Sequence, residues 1–259
     1  FVPHLGCPHQ CIFCNQKSIA GCAAPPSGAD VQKEIERALA ICDRAEVAFY
    51  GGSFTAIDWH QQEAYLQAAA PFLKTGQVSS IRVSTRPDAV DEKTLSRLQR
   101  CGVKTVELGC QSMSDAVLRR CARGHSVQDI LRAVFLVQKA GLSLVLQMMT
   151  GLPGSSEAED LRTGRALAAL HPQAVRIYPT VVLRDSALYR DYLEGRYRPQ
   201  TLQEAVHCCA LLRQLFLECR IPVLRTGLQP TTTLSGGEAV AGPYHPAFGE
   251  LVLSRVLLM

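Results

Sequence analysis

The chain has no run of about eighteen apolar residues, which leaves no stretch suited to a membrane-spanning helix. It lacks a leader with a charged start, an apolar middle and small residues, which argues against secretion. It has no internal repeat, so a solenoid or propeller is not expected. It also has little excess charge: 27 Lys and Arg stand against 23 Asp and Glu, a balance of +4 that does not by itself demand a nucleic-acid partner. Low complexity is confined to Thr231 through Gly242, rich in Thr and Gly, which reads as a mobile loop.

Apolar residues are plentiful. They make up 47% of 259 residues, enough for a sizeable core in one large α/β domain or two smaller ones. The 11 cysteines are odd in number, and the chain is too long and core-rich to need a disulfide scaffold. Most are scattered: Cys22, Cys42, Cys101, Cys110, Cys121, Cys208, Cys209 and Cys219. Several lie on apolar stripes, as Cys42 does with Val31, Ile35, Ala38 and Leu39, and read as buried thiols behaving as small hydrophobes. A reducing, cytoplasmic setting is expected. The chain starts without methionine and stops within an apolar helical pattern at Leu257-Leu258-Met259, so it reads as part of a longer protein.

Three cysteines depart from this scatter. Cys7, Cys11 and Cys14 are spaced three and two residues apart, with Phe13 just before the last. Three thiolates on one tight loop can hold three corners of a cubane iron–sulfur cluster and leave the fourth iron without a protein ligand. The alternative is a structural zinc knot with His4 or His9 as the fourth ligand.

Short apolar runs alternate with amphipathic stretches, the βαβα pattern of a parallel sheet covered by helices. Strands are expected at the end of Phe1–His4, at Val47–Tyr50, Ile81–Ser84, Lys104–Leu108, Ser143–Met148 and Ala174–Tyr178, with a further possibility at Pro222–Arg225. Helices are expected from Asp30, as N-cap, to Cys42, and over Trp59–Leu73, Asp91–Arg100, Asp115–Cys121, Val127–Ala140, Ala158–Leu170, Leu188–Leu193 and Leu202–Cys219. The cysteine loop, Gly51-Gly52, Ser84, Gln111 and Gln147 then all fall at or just past strand ends, where βα loops gather chemistry.

The cysteine spacing with its aromatic, followed by Gly51-Gly52-Ser53-Phe54 after a strand, resembles the radical S-adenosylmethionine (SAM) superfamily. Val106-Glu-Leu-Gly-Cys-Gln-Ser112, Arg123-Gly-His125, Arg176-Ile-Tyr-Pro-Thr180, Ser84-Thr-Arg-Pro-Asp88 and Gly195-Arg-Tyr-Arg-Pro199 narrow the resemblance. They look like the radical SAM domain of the Elongator catalytic subunit, and the similarity covers roughly residues 3 to 225. The opening Pro3-His-Leu-Gly-Cys7 and the Cys14-Asn-Gln tail look more like short bacterial relatives that lack the acetyltransferase domain.

The resemblance implies an α/β fold, a partial TIM-type (β/α)6 barrel, with residues 1–228 as the radical SAM core and its extension. Residues 229–259 would form a Gly/Thr-rich loop and the start of a truncated segment. It implies a 4Fe-4S cluster on Cys7, Cys11 and Cys14, and reductive cleavage of SAM to methionine and a 5′-deoxyadenosyl radical. SAM would be held by Phe13, Gly51, Gly52, Ser53, Ser84, Gln111, Arg123 and Gln147. Among these, Gln111 would bond the ribose, Arg123 the carboxylate, and Gln147 would replace a ribose-binding aspartate. Ser84 stands where relatives carry a glutamate, so recognition of the ammonium at this position is in question. No acid–base residue is identified.

The implied partners are tRNA, with Arg119, Arg120, Arg123, Arg190, Arg196 and Arg198 as phosphate contacts, and an electron donor such as flavodoxin or ferredoxin. The alternatives are a small metabolite as substrate, or a metal-stabilised RNA-binding module without catalysis. Cys110 reads either as a hydrogen donor near a radical source or as a small buried side chain. Cys209, in register with Leu202, Val206, Leu212 and Phe216, reads as core.

Overall fold

A computed structural model describes residues 7–15, 25–231 and 234–259. The expected strand at Phe1–His4, the zinc alternative's His4, and Cys22 lie outside the described residues. In chain order the elements are α1 (Gly28–Leu39), β1 (Ala45–Phe49), α2 (Trp59–Lys74), β2 (Val78–Thr85), α3 (Glu92–Arg100), β3 (Val103–Gln111), α4 (Asp115–Arg120), α5 (Val127–Lys139), β4 (Ser143–Thr150), α6 (Glu157–Ala168), β5 (Ala174–Pro179), β6 (Val182–Leu183), α7 (Ala187–Leu193), α8 (Leu202–Glu218), β7 (Val223–Thr226), β8 (Ala239–Ala241) and α9 (Phe248–Leu257). Six strands follow the sheet order β1-β2-β3-β4-β5-β7. The possible strand near Pro222–Arg225 is therefore β7, an integral member of the sheet.

The described residues fall into two compact units: 7–8, 25–109 and 130–144 in the first, and 9–15, 110–129, 145–231 and 234–259 in the second. In the first unit β1 pairs with β2 and β2 with β3, both parallel. This sheet packs on α2, where Phe49 lies 6.0 Å from Tyr65 between ring centroids, and 5.1 Å from Phe54 of the preceding turn. The helices start where their caps dictate. Asp91 accepts from the Thr94 N–H at 2.7 Å to open α3, and Gly102, at φ 86°, lets the chain turn out of it.

Two expectations in this unit are corrected. The N-cap of α1 is Ser27, and Asp30 completes a capping box by accepting from the Ser27 N–H at 2.8 Å. A serine followed three residues later by a carboxylate satisfies two orphan N–H groups instead of one, so the helix starts earlier. Cys42 lies beyond the end of α1 and is exposed, with its thiol on the Ala38 carbonyl at 3.2 Å. The apolar stripe of α1 does not reach it.

In the second unit β4 pairs with β5 and β5 with β7, again parallel. Leu146, Met148, Val175 and Ile177 are fully buried, as are Cys209, Leu212 and Phe216 of α8. Gly164 of α6 permits the approach of α8, since a Cβ there would lie 2.4 Å from Leu212 Cδ2. Residues 234–242 of the Thr/Gly-rich stretch carry defined elements where a loop is expected from composition. They contain a π-turn at Leu234–Glu238 and β8, which pairs antiparallel with β6. Leu234 buries itself with Val181 and Leu183, and this apolar anchor accounts for the pairing.

Candidate functional site

In the second unit the cysteine loop is held on both sides by backbone bonds. The Ile12 N–H donates to the Cys121 carbonyl at 3.1 Å, and the Leu188 N–H donates to the Ile12 carbonyl at 2.8 Å. The Cys14 N–H closes the loop on the Cys11 carbonyl at 3.0 Å, and Asn15 Nδ2 reaches the Arg184 carbonyl at 2.8 Å. Ile12 and Phe13 pack against Val117, Cys121 and Leu152 on one side and Val182, Leu188 and Tyr197 on the other. Phe13 is therefore an anchor of the loop. Cys11 is buried, and Arg123 Nη1 lies 3.2 Å from its sulfur.

The turn that receives the loop is unusual. Ala122 at φ 51° and Gly124 at φ 72° bracket Arg123, and the Arg123 N–H donates to the Leu118 carbonyl at 3.0 Å. His9 lies flat on Gly124, where an added Cβ would meet its ring at 2.4 Å. Gly124→Ala should thus do more than strain the backbone by about 1–2 kcal/mol: it should push the cysteine loop off its seat. The expected result is alkylation of Cys11 in the metal-free protein at least several-fold faster than in wild type. Gly141, at φ 71° with nothing within 4 Å of an added Cβ, is the control. Equal Cys11 labelling in Gly124→Ala and Gly141→Ala would show that His9 does not position the loop.

In the first unit, Gly51 at φ 127° adopts a conformation that a side chain would disfavour. Gly52 and Ser84 lie beside Tyr50 and Phe54. Ser53 is fully buried and its hydroxyl is committed to the protein: it accepts from the Arg86 N–H at 3.2 Å and shares a hydrogen bond with Thr85 Oγ1 at 2.8 Å. Its side chain ties the glycine turn to the Ser84–Asp88 segment.

One functional candidate here was missed from the sequence. Glu107 is fully buried and is the register partner of Ser84. Its carboxylate accepts from Tyr50 Oη at 2.6 Å and from Arg82 Nη1 at 3.1 Å. Burial of Arg82 works against its charge, but bonds to Glu46 and Glu107 outweigh this and raise its pKa above the usual value. The signal was a lone carboxylate in the apolar run of β3; a buried charge requires such partners.

Gln111 ends β3 at φ 69°, a left-handed position uncommon for a residue with a side chain. Its Oε1 is buried with no hydrogen-bond partner, a costly state that a ligand donor would relieve. Gln147 lies in β4, in register with Arg176 of β5.

Beyond β4, a 420 Å³ cleft includes Gly151, Ser155, Asp160 and Tyr197 among its lining residues. Asp160 is buried; it accepts from the Gly151 N–H at 2.8 Å and Ser155 Oγ at 2.6 Å. Burial raises its pKa to about 6 despite those two bonds, with Glu159 and Glu157 adding to the rise. A raised carboxylate pKa means that the folded state binds the proton more tightly, so its contribution is present below pH 3.8 and lost as pH rises through about 6. Asp160→Asn should therefore gain stability relative to wild type between pH 4 and 7, by about 3 kcal/mol. Urea titrations across that range will read the difference, and a pH-independent gap would contradict it.

The arginines divide. All but one are exposed: Arg196 pairs with Asp191 and Glu194 and Arg198 with Glu204 at the surface, Arg119, Arg120 and Arg190 are exposed, and Arg123 is buried, away from any phosphate track. Cys110 is fully buried, and burial pushes its thiol up to about 12; the same holds for Cys209. Both behave as core. Among the described residues no three His, Cys, Asp or Glu side chains are grouped closely enough to hold a metal ion, and no helix is long and apolar enough to cross a membrane.

The family model of the Radical SAM superfamily matches residues 1–166, and that of the Radical_SAM C-terminal domain matches residues 172–257. The chain is 26% identical over 203 residues to the tRNA uridine(34) acetyltransferase of Methanocaldococcus infernus, covering 71% of this chain and 38% of that protein. It is 26% identical over 194 residues to human Elongator complex protein 3, covering 67% and 35%. It thus spans well under half the length of these two relatives. The structure of archaeal M. infernus Elp3 with an N-terminal deletion superposes with a TM-score of 0.76 at 25% identity, over 89% of this chain and 58% of that one. The fold is accordingly α/β, the partial TIM-type (β/α)6 barrel expected from the sequence.

Proposed function

Because the chain belongs to the radical SAM superfamily, we propose that it cleaves SAM reductively at a 4Fe-4S cluster on Cys7, Cys11 and Cys14. The observation that carries this reading is the seat of the cysteine loop, with Cys11 buried beneath Arg123 and fixed from two sides. The donor chemistry suits the group. Thiolates are the usual ligands of such clusters, the apolar packing of Ile12 and Phe13 fixes the loop, and the unsatisfied Gln111 Oε1 awaits a hydroxyl donor such as a ribose. When bound, the cluster supplies the electron that splits the sulfonium and yields a 5′-deoxyadenosyl radical.

The chain's own residues bind and orient. Gly51 and Gly52 leave backbone open to the methionine end of SAM, Gln111 and Gln147 serve the ribose, and Arg123 has further N–H donors for the carboxylate. Ser84 is too short to reach as a glutamate would, and Glu107 beside it in register supplies the nearby negative charge. Ser53 acts by holding the glycine turn. A flavodoxin or ferredoxin is the fitting electron donor.

For the substrate we favour a tRNA uridine, on the likeness to tRNA-modifying relatives. A second reading, a small metabolite, is favoured by one observation: Arg196 and Arg198 are already paired with acids. The experiment for the cofactor chemistry is anaerobic reconstitution, reduction and chromatography. Methionine and 5′-deoxyadenosine in equal amounts are expected. Intact SAM with a fully loaded, reduced cluster would contradict the proposal.

A further inference from the structure

We propose that Arg123 is a positioning residue for the cluster itself: it donates an N–H to the sulfur of Cys11 and keeps a positive charge against the ligand shell. This goes beyond pairing with the SAM carboxylate, and it rests on the reading that Cys11 is a cluster ligand.

The geometry is specific. Nη1 lies 3.2 Å from Cys11 Sγ, and both residues are 7% exposed. The backbone of the same turn also holds the cysteine loop, since Ile12 N–H donates to the Cys121 carbonyl. Arg123 is aimed by left-handed residues on both sides, one of them Ala122 at φ 51°. A left-handed alanine costs about 1–2 kcal/mol and persists where the surroundings over-determine it. One short turn therefore fixes the loop's backbone and places a cation on its buried sulfur.

A ligand thiolate keeps lone pairs that accept such a bond, and hydrogen bonds to sulfur together with net charge set the potential of these clusters. The buried guanidinium is poorly screened by solvent, so it stabilises the added electron. Removing it should make the cluster harder to reduce. A guanidinium has five N–H donors, so a bond to Cys11 does not by itself preclude one to a carboxylate. The two roles separate when SAM is absent.

The test is a redox titration of the anaerobically reconstituted chain without SAM, followed by visible absorption and electron paramagnetic resonance. Arg123→Met should lower the equilibrium constant for one-electron reduction about tenfold, a midpoint about 59 mV more negative. Arg123→Lys, which keeps the charge, should recover most of the loss. Wild-type potential in Arg123→Met, with only SAM affinity reduced, would overturn the inference and leave Arg123 as a carboxylate clamp. Loss of the cluster from Arg123→Met but not from Arg123→Lys supports it; loss from both overturns it. A wild-type chain that takes up no iron–sulfur cluster sinks the parent reading instead, and that is read before any variant is compared.

Discussion

Cys11→Ser protein, reconstituted anaerobically with iron and sulfide, should show no broad visible absorption of a bound 4Fe-4S cluster and no cleavage of SAM. The effect should be a loss to the detection limit, because two things go at once. A hard hydroxyl replaces a soft thiolate as iron ligand, and the sulfur that accepts from Arg123 at 3.2 Å disappears. The fold should survive, since the loop is held by the backbone of Ile12 and by apolar packing of Ile12 and Phe13 that the substitution leaves untouched. Far-UV circular dichroism should therefore match wild type. Cys42→Ser, at an exposed thiol, is the control and should keep the full cluster. A wild-type chain that binds one zinc and stays colourless would instead favour the zinc knot, and Cys11→Ser would then cost stability in place of redox chemistry.

The other large effect concerns the substrate. If tRNA is bound through six or more phosphates, its affinity should fall by roughly a factor of a thousand or more between about 50 and 200 mM salt, as condensed counterions are released. Filter binding or fluorescence anisotropy with bulk tRNA reads this directly. The exposed Arg119, Arg120 and Arg190 are the residues to replace: each lost phosphate contact should reduce the salt slope by about one. Arg196 and Arg198, which have acidic partners in Asp191, Glu194 and Glu204, should matter less. Binding that ignores salt, or no binding, would remove the tRNA reading and leave a small metabolite entering the barrel.

The fold was largely legible from the chain, for a physical reason that also sets its limit. Apolar alternation and helical periodicity report which face of an element is buried, and caps such as Asp91 and Gly102 act within a few residues. These signals are local, so strands and helices were placed to within a few residues. Where two local signals competed, as at Ser27 and Asp30, the capping box decided the helix start. The Thr/Gly-rich stretch went astray because composition does not show that Leu234 finds a pocket with Val181 and Leu183, about fifty residues upstream.

The site divides along the same line. By itself the sequence determined the candidate ligand set of the proposed cluster, since the spacing of Cys7, Cys11 and Cys14 is confined to one loop, and the glycine pair proposed for a close backbone approach. Only the tertiary structure decided what acts on those residues. It set Arg123 on Cys11 across 112 positions, His9 on Gly124, Glu107 under Tyr50 and Arg82, and the buried Asp160 on Gly151 and Ser155. A hydrogen bond between distant residues leaves no period in the chain, and burial of a charge depends on neighbours that only folding assembles.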